Sequence, residues 1–278
     1  MARREHVQIK TAAEIAKMRV AGLLVAQALD RLREAAVPGA TTADLDAVAE
    51  KTIRAGGGIP SFKGYAHPPY PASICSSVND EVVHAIPNRK RALRDGDIIS
   101  IDCGAIVDGW HGDAAITVPI GTVDPAILEM IRVCEDSLWA GLAAAQLGGR
   151  LTDISHAVEE HVKPRGFGIV DNYGGHGIGT EMHQPPHILN HGRAGRGIKL
   201  VAGLALAIEP MITMGSPDTR VLEDDWTVST VDGSWAAHTE HTVAVTPRGP
   251  WVLTAHDGGA ARFAALGVAC GAPVEAKT

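Results

Sequence analysis

Cysteine is scarce in this 278-residue chain, and the four present, Cys75, Cys103, Cys134 and Cys270, are widely spaced. None forms a C-x-x-C pair, which excludes a disulfide framework and a structural zinc site and leaves any metal to other ligands. No apolar run approaches the ~20 residues of a membrane helix, and Met1 to Lys10 lacks the apolar stretch of a signal peptide. A cytoplasmic protein with no membrane partner is therefore expected. Dense Lys/Arg tracts are also missing, and 25 Lys+Arg stand against 32 Asp+Glu for a formal charge of -7. That balance argues against DNA as a partner, whose phosphates call for a basic face. The Gly56 to Gly58 run and the Gly192 to Gly197 loop lack the spacing of a phosphate cradle. With 45% apolar and 21% charged residues, the composition is that of an ordinary globular protein, and a fold of this size buries roughly three quarters of its extended surface.

What is present is a pair of similar units. Thr11 and Glu14 form a capping box ahead of Ile15, Met18, Gly22, Val25, Leu29 and Leu32 at helical spacing, until Pro38-Gly39 stops the run. A second helix is expected from near Thr42, with Leu45, Val48, Ala49 and Ile53 on one face and Gly56-Gly57-Gly58 at its end. Strand-like segments follow, Ile98 to Cys103 and Ala114 to Val118 among them, punctuated by Asp95-Gly96 and Asp108-Gly109. The order then restarts. Asp124-Pro125 caps a long helix with Ile127, Ile131, Cys134, Leu138 and Leu142 on one side, and a shorter helix is expected from about Thr152 to Lys163. Gly39, Asp44, Leu45, Glu50, Ile53 and Gly57 recur at one constant offset as Gly148, Asp153, Ile154, Glu159, Val162 and Gly166, and Ile101-Asp102 recurs further on as Ile208-Glu209. Two copies of about 110 residues predict a pseudo-two-fold α+β domain in preference to a solenoid. One domain is expected over residues 1–278, with halves at about 11–121 and 124–254 and a loosely held Gly/Ala-rich tail at about 257–278.

The repeat sets acids at matched positions. Asp102 ends the apolar run Ile98-Ile99-Ser100-Ile101, and strand alternation turns Ile99 and Ile101 to the face opposite it. Glu209 ends Leu204 to Ile208 in the same way, and a second acid follows each: Asp113 after His111-Gly112, and Glu240 before His241-Thr242. Carboxylates at the ends of core strands are seldom buried without a partner or a metal. If the pseudo-axis gathers all four, each pair at ~4 Å repels by about 4 kcal/mol even at an effective dielectric of ~20, so the group needs cations. An oxygen-rich donor set with one imidazole suits Mn, Fe, Co or Zn, and two such ions ~3.5–4 Å apart polarise a water into hydroxide near neutral pH.

The imidazole is expected from His176, which stands between glycines in Gly175-His176-Gly177, a backbone able to come close to a ligand. His84 and His183 recur across the two units and add one histidine to each side of the cleft. Taken singly, each acid is more often a cap or turn residue and each of these histidines a packing residue; the joint pattern favours a metal centre. His67, His111, His187, His191, His238 and His241 read as exposed or packing histidines, with His111 and His241 placed to support the acids they flank. Cys75 lacks Cys-His-Asn surroundings and reads as a pocket lining.

Asn79-Asp80-x3-His84, Ile101-Asp102, His111-Gly112-Asp113, Gly175-His176-Gly177-Ile178-Gly179, His183-x-x-Pro186, Ile208-Glu209-Pro210 and Glu240-His241-Thr242 stand in an order and spacing that resemble the methionine aminopeptidases, from about Thr11 to Thr254. The resemblance implies a pita-bread fold, two αβ halves enclosing a dinuclear site. It implies two divalent ions, Co, Mn, Fe or Zn, ligated by Asp102, Asp113, His176, Glu209 and Glu240. Asp113 and Glu240 would bridge them, with Asp102 on one ion and His176 and Glu209 on the other. By the same resemblance His84 contacts the scissile amide, His183 hydrogen-bonds the carbonyl oxygen, and Glu209 shuttles the proton of the attacking water. Cys75 and Trp226 match positions of the methionine pocket and Tyr70 joins them; Met182 stands where the family commonly has Phe.

The activity so implied is removal of the initiator methionine from nascent or newly made chains, favouring a small second residue, by a monomer. Ribosome contact fits that activity, although no segment visibly encodes it. The short interval from His183 to Glu209 leaves no room for the helical insertion of type II enzymes, and no cysteine-rich extension precedes Thr11, so the short bacterial type I form is expected. Two alternatives share the fold. An Xaa-Pro aminopeptidase or prolidase generally carries an extra N-terminal domain, for which the residues before His84 leave no room. A non-catalytic binding protein should have lost ligands, and all five stand here.

Overall fold

A computed structural model describes residues 7–273. Helix α1 (Ala12–Ala35) starts at Thr11, whose hydroxyl accepts from the Glu14 N–H while the Glu14 carboxylate accepts from the Thr11 N–H. Helix α2 (Thr42–Ala55) begins with the same device, built from Thr41 and Asp44. Both boxes satisfy amides that a first helical turn leaves without partners. Then come β1 (Ile59–Pro60), β2 (Ile74–Val78), β3 (Glu81–Val83) and a hairpin of two strands, β4 (Ile98–Val107) and β5 (Trp110–Pro119). These two strands outrun the alternating segments seen in sequence. Asp108 and Gly109 take positive φ, 49° and 79°, and close a two-residue turn that lets pairing continue to Val107 opposite Trp110.

Helix α3 (Pro125–Ala144), capped by Asp124, and α4 (Leu151–Val162) open the second half. After them the chain forms β6 (Gly168–Ile169), β7 (Gly175–Gly177), β8 (Gln184–Ile188), β9 (Ala205–Ile208), β10 (Met211–Thr213), β11 (Thr219–Val221), β12 (Val228–Thr230), β13 (Ala236–His238), β14 (Glu240–Thr246), β15 (Gly249–Val252) and α5 (Ala260–Ala265). Nine strands make the main sheet, on the path β1-β4-β5-β14-β9-β7-β8, with β2 also paired to β4 and β15 to β14. Outward from the β5–β14 pair, the first half supplies β5, β4 and β2 and the second supplies β14, β9 and β7. The halves therefore match across one seam. Thr242 clamps it, donating from its hydroxyl to the Asp113 carbonyl at 2.8 Å and accepting from the Asp113 N–H at 3.1 Å.

The helices lie on one face of this sheet. Ile99, Ile101, Cys103 and Ala105 of β4 pack with Val25, Leu29 and Leu32 of α1 and with Leu45, Ala49 and Ile53 of α2. Leu206 and Ile208 of β9 and Val243 and Val245 of β14 pack with Leu138, Leu142 and Ile154 of α3 and α4. Two-residue alternation then commits Asp102 and Glu240 to the opposite face. No helix among the described residues is long and apolar enough to cross a membrane.

The C-terminal segment is not the loose tail its composition suggests. Helix α5 seats a fully buried Phe263 against Trp139, Leu142 and Val252, and Arg262 pairs with Glu135 and Asp136 of α3. Farther along, the Arg248 guanidinium donates to the carbonyls of Gly271 and Ala272. One buried aromatic outweighs many glycines and alanines, since its ring removes far more apolar surface from water. Residues 274–278 lie outside the described residues. Phe263→Ala is expected to cost about 3–5 kcal/mol, measured as a lower urea midpoint at unchanged slope.

Candidate metal centre

Strand register lines up the donors in two rows. In the first, Cys75, Asp102, Ala115 and Glu240 stand side by side on β2, β4, β5 and β14. In the second, Gly104 faces Asp113 across the hairpin, and Ala207 of β9 lies between Thr242 of β14 and His176 of β7. Small residues make room for the acids: Ala115 separates Asp102 from Glu240, and a Cβ at Gly104 would stand 3.1 Å from Asp113 Oδ1. Glu209 follows β9, two residues beyond Ala207, and its side chain joins the group.

His176 reaches the acids from the outer strand, with Nε2 3.6 Å from Glu209 Oε1 and 4.0 Å from Asp113 Oδ2. Its Nδ1 lies 3.0 Å from the Gly177 carbonyl, which can only accept, so the proton sits on Nδ1 and the Nε2 lone pair faces the acids. The flanking glycines serve a purpose other than ligand approach. A Cβ at Gly175 would collide with the Ala207 carbonyl of β9, and one at Gly177 with the Pro185 carbonyl of β8. Without side chains there, β7 can be squeezed between its two neighbours, and that sets the depth of the imidazole.

Burial pushes the Asp102 carboxyl up to about 7, with Glu209 adding to the rise and His238 opposing it. Burial, and then the neighbouring acids, push Asp113 and Glu240 well above the usual carboxylate range, and burial does the same to Glu209. The same desolvation holds His176 down to about 3, so the ring is neutral and able to ligate. Asp102 Oδ1, Asp113 Oδ1 and Glu240 Oε1 have no hydrogen-bond partner among the described residues. Buried carboxylate oxygens turned on one another without donors are what a divalent cation relieves. Donor atoms of Asp113, His176 and Glu240 lie within 4.8 Å of one another, as do those of Glu209, His238 and Glu240. The oxygen-rich set with imidazole nitrogen fits first-row divalent ions.

Two histidines exchange the places their sequence positions suggest. His238, a packing histidine by sequence, is buried beside the acids, its Nε2 unpartnered and 3.6 Å from Glu209 Oε2. His241 points to the helix face, edge-on to Trp139 at 5.4 Å and with Nδ1 2.8 Å from Thr254 Oγ1, and takes no part in the site. A signal for His238 exists: it stands two residues before Glu240 as His111 stands two before Asp113, a spacing that keeps both on the acids' side. His111 itself rests with Nδ1 3.0 Å from Ser61 Oγ.

Tyr70, Cys75, Met182 and Trp226, with Phe62 and Tyr65, line a cavity of about 80 Å³ whose remaining walls are the four acids, His84, His176 and His183. Phe62 and Tyr65 carry no sequence motif, yet with Tyr70 they make up half of the chain's three Phe and three Tyr within one short loop. His84 sits at φ 62°, a strained backbone for a non-glycine residue, with its ring edge-on to Tyr173 at 5.8 Å and Trp226 at 6.2 Å. Burial holds its imidazole down to about 4. The His183 ring stands 4.3 Å from that of His176, centroid to centroid. A wider groove of about 390 Å³, bordered by His84, Tyr173, His183 and Pro185, reaches Glu209 and His176.

The raised carboxyls have a consequence for metal-free protein. A carboxyl whose folded pKa is raised contributes stability below its ordinary pKa and loses it as pH rises through the folded value. For Asp102 that window runs from 3.8 to about 7. Buried histidines held neutral, His84 and His176 among them, act in the opposite sense over the same window. The readout is therefore the gain in melting temperature from saturating divalent ion, expected to be larger at pH 7.5 than at pH 5 because binding must displace the carboxyl protons at the lower pH. Thermal unfolding with and without the ion, followed by circular dichroism, checks this; a gain that shrinks as pH rises across the window would contradict it.

Comparison with known proteins agrees with this geometry. Metallopeptidase family M24 matches residues 16–247. A methionine aminopeptidase of Clostridium acetobutylicum is 52% identical over 246 residues, which is 88% of this chain and 98% of that protein. Methionine aminopeptidase 1 of Mycobacterium tuberculosis is 52% identical over 257 residues, 90% of this chain and 96% of that one. The crystal structure of a methionine aminopeptidase from Thermotoga maritima aligns with a TM-score of 0.87 at 42% identity, over 90% of this chain and 99% of that one. A prolidase from Pyrococcus furiosus, at 21% identity and a TM-score of 0.72 over 65% of its own length, shares the fold alone. Matched across both halves and the seam between them, the chain belongs to the methionine aminopeptidases of metallopeptidase family M24, on the pita-bread fold.

Proposed function

We propose that this protein removes the initiator methionine from nascent or newly synthesised polypeptides by metal-dependent hydrolysis, favouring a small second residue. The observation that carries the reading is one juxtaposition. Four buried carboxyls and His176 line the same cavity of about 80 Å³ as the apolar side chains of Phe62, Tyr70, Met182 and Trp226, so a side chain held against the apolar wall would place its backbone at the acids. The aromatic walls at Tyr70 and Trp226, whose ring centroids are 5.0 Å apart, suit a thioether, which gains from contact with ring edges. The relatives at 52% identity carry the name of this activity.

In this reading Asp102, Asp113, His176, Glu209 and Glu240 hold two divalent ions, Co, Mn, Fe or Zn. Bound there, the ions supply Lewis acidity and a water acidified to near-neutral pKa. Glu209 takes the proton from the attacking water and returns it to the leaving amine as the C–N bond breaks. His183 donates to the carbonyl oxygen as negative charge develops on it. His84 is neutral because of its burial and accepts from the scissile amide N–H. Cys75, Tyr70, Trp226 and Met182 hold the methionine side chain, and the rest of the polypeptide leaves through the wider groove. The chain, residues 1–278, acts as one catalytic domain, working as a monomer in the cytoplasm on chains at or just off the ribosome.

Two measurements test the reading. Metal-loaded protein should release methionine from a Met-Ala peptide, lose that activity to a chelator, and act poorly on an Xaa-Pro peptide. Chelator-insensitive cleavage, or faster release from the proline peptide, would overturn it. His183→Ala should lower kcat by about 10²–10³-fold with bound metal per protein unchanged by elemental analysis. Loss of metal from that variant would move His183 into the ligand set.

A further inference from the structure

His183 is held differently from the other histidines of the cleft. His176 is fixed by the Gly177 carbonyl and by the strands on either side, and His84 is wedged between Tyr173 and Trp226. His183 lies exposed in the segment that leads into β8. Its one hydrogen-bond partner among the described residues is the Tyr65 hydroxyl, 2.6 Å from Nδ1, and the two rings are 5.1 Å apart and tilted by 52°. An imidazole in such a place, with nothing on Nδ1, would turn about its ring torsion and exchange its proton between the two nitrogens.

Tyr65 is itself firmly placed. The loop that carries it closes on itself: the Tyr65 N–H donates to the Phe62 carbonyl at 2.9 Å, the Tyr70 N–H to the Tyr65 carbonyl at 2.9 Å, and the Gly64 N–H to the Tyr70 carbonyl at 2.8 Å. Tyr70 is buried, and its hydroxyl lies 3.0 Å from the Ile74 carbonyl and 2.9 Å from the Ala85 carbonyl, so the loop is tied to the pocket wall. Burial, and next the charge of Glu181, push the Tyr65 phenol above its ordinary range, which keeps its proton in place at neutral pH. Between a phenol and a neutral imidazole, the phenol O–H is the stronger acid and the ring nitrogen the better acceptor.

We propose that Tyr65 is a positioning residue for the hydrolysis: its O–H donates to His183 Nδ1, which keeps the ring proton on Nε2 and aims that N–H at the substrate carbonyl oxygen. The proposal deepens the reading of His183 given above and rests on it. With the opposite tautomer, Nε2 would present a lone pair to an oxygen that is becoming negative, and the contact would repel. A donor aimed before the reaction begins acts on the transition state, so its loss falls on kcat and leaves KM nearly unchanged. The pocket loop and the catalytic histidine are thereby joined through one phenol.

Tyr65→Phe removes a single oxygen from a half-exposed ring and tests the proposal. In zinc-loaded protein labelled with ¹⁵N-histidine, His183 of the natural protein is expected as the Nε2–H tautomer, and the variant as a mixture of both. In cobalt- or manganese-loaded protein the variant's kcat on a Met-Ala peptide should fall about tenfold with KM within about twofold and metal content unchanged. An unaltered tautomer and kcat would overturn the proposal, as would an Nδ1–H tautomer in the natural protein or a rise in KM alone, which would make Tyr65 a pocket wall only. If the natural protein fails to release methionine, the functional reading fails, while the ¹⁵N measurement still decides whether Tyr65 sets the His183 tautomer.

Discussion

Carboxyls kept from water on one face of one sheet are the constraint on which this molecule is built. Asp102, Asp113, Glu209 and Glu240 are buried within reach of one another, and Asp102 Oδ1, Asp113 Oδ1 and Glu240 Oε1 find no hydrogen-bond partner among the described residues. Desolvation alone would keep these groups protonated, and mutual repulsion pushes the same way. The fold holds them there because the opposite face of the same strands is packed with aliphatic side chains from four helices. Each half brings two acids and neither has a centre alone, so the Thr242 clamp on Asp113 is a contact within the site as much as between halves.

Around that centre the structure holds each group by a different means. Strand register sets Asp102, Asp113 and Glu240, with alanine and glycine between them in place of bulk. His176 is set by how closely β7 fits between β8 and β9, which only residues without Cβ atoms allow. His84 is set by a left-handed backbone and two aromatic rings. His183 depends on a single phenol from a loop that also walls the pocket. Strands and their ends thus carry the carboxyls and His176, and the histidines proposed to meet the substrate ride on loops, as is common where binding and catalysis share a scaffold.

Much of this was legible in the sequence where the physics is local. Capping boxes at Thr11 and Thr41 are complete within four residues, so helix starts follow from composition and spacing. Asp102 could be assigned its face because alternation against Ile99 and Ile101 leaves no other choice. Less was legible where a distant neighbour decides. The glycines around His176 suggested room for a ligand, and the room is taken by the carbonyls of Ala207 and Pro185. The Gly/Ala-rich end suggested a loose tail, and Phe263 finds Trp139 and Val252 to bury against.

The pair His238 and His241 draws the line most sharply. Both flank the same acid, and sequence favoured the one that follows it. Backbone geometry turned His241 toward Trp139 and left His238 facing Glu209. By itself the sequence determined the identity, order and local face of the acids and of His176, because cap, turn and strand alternation act over a few residues. The tertiary structure alone decided how the histidines of the cleft are oriented and what Tyr65 touches, because those depend on contacts between separate elements, as for Tyr65 and His183, which lie 118 residues apart.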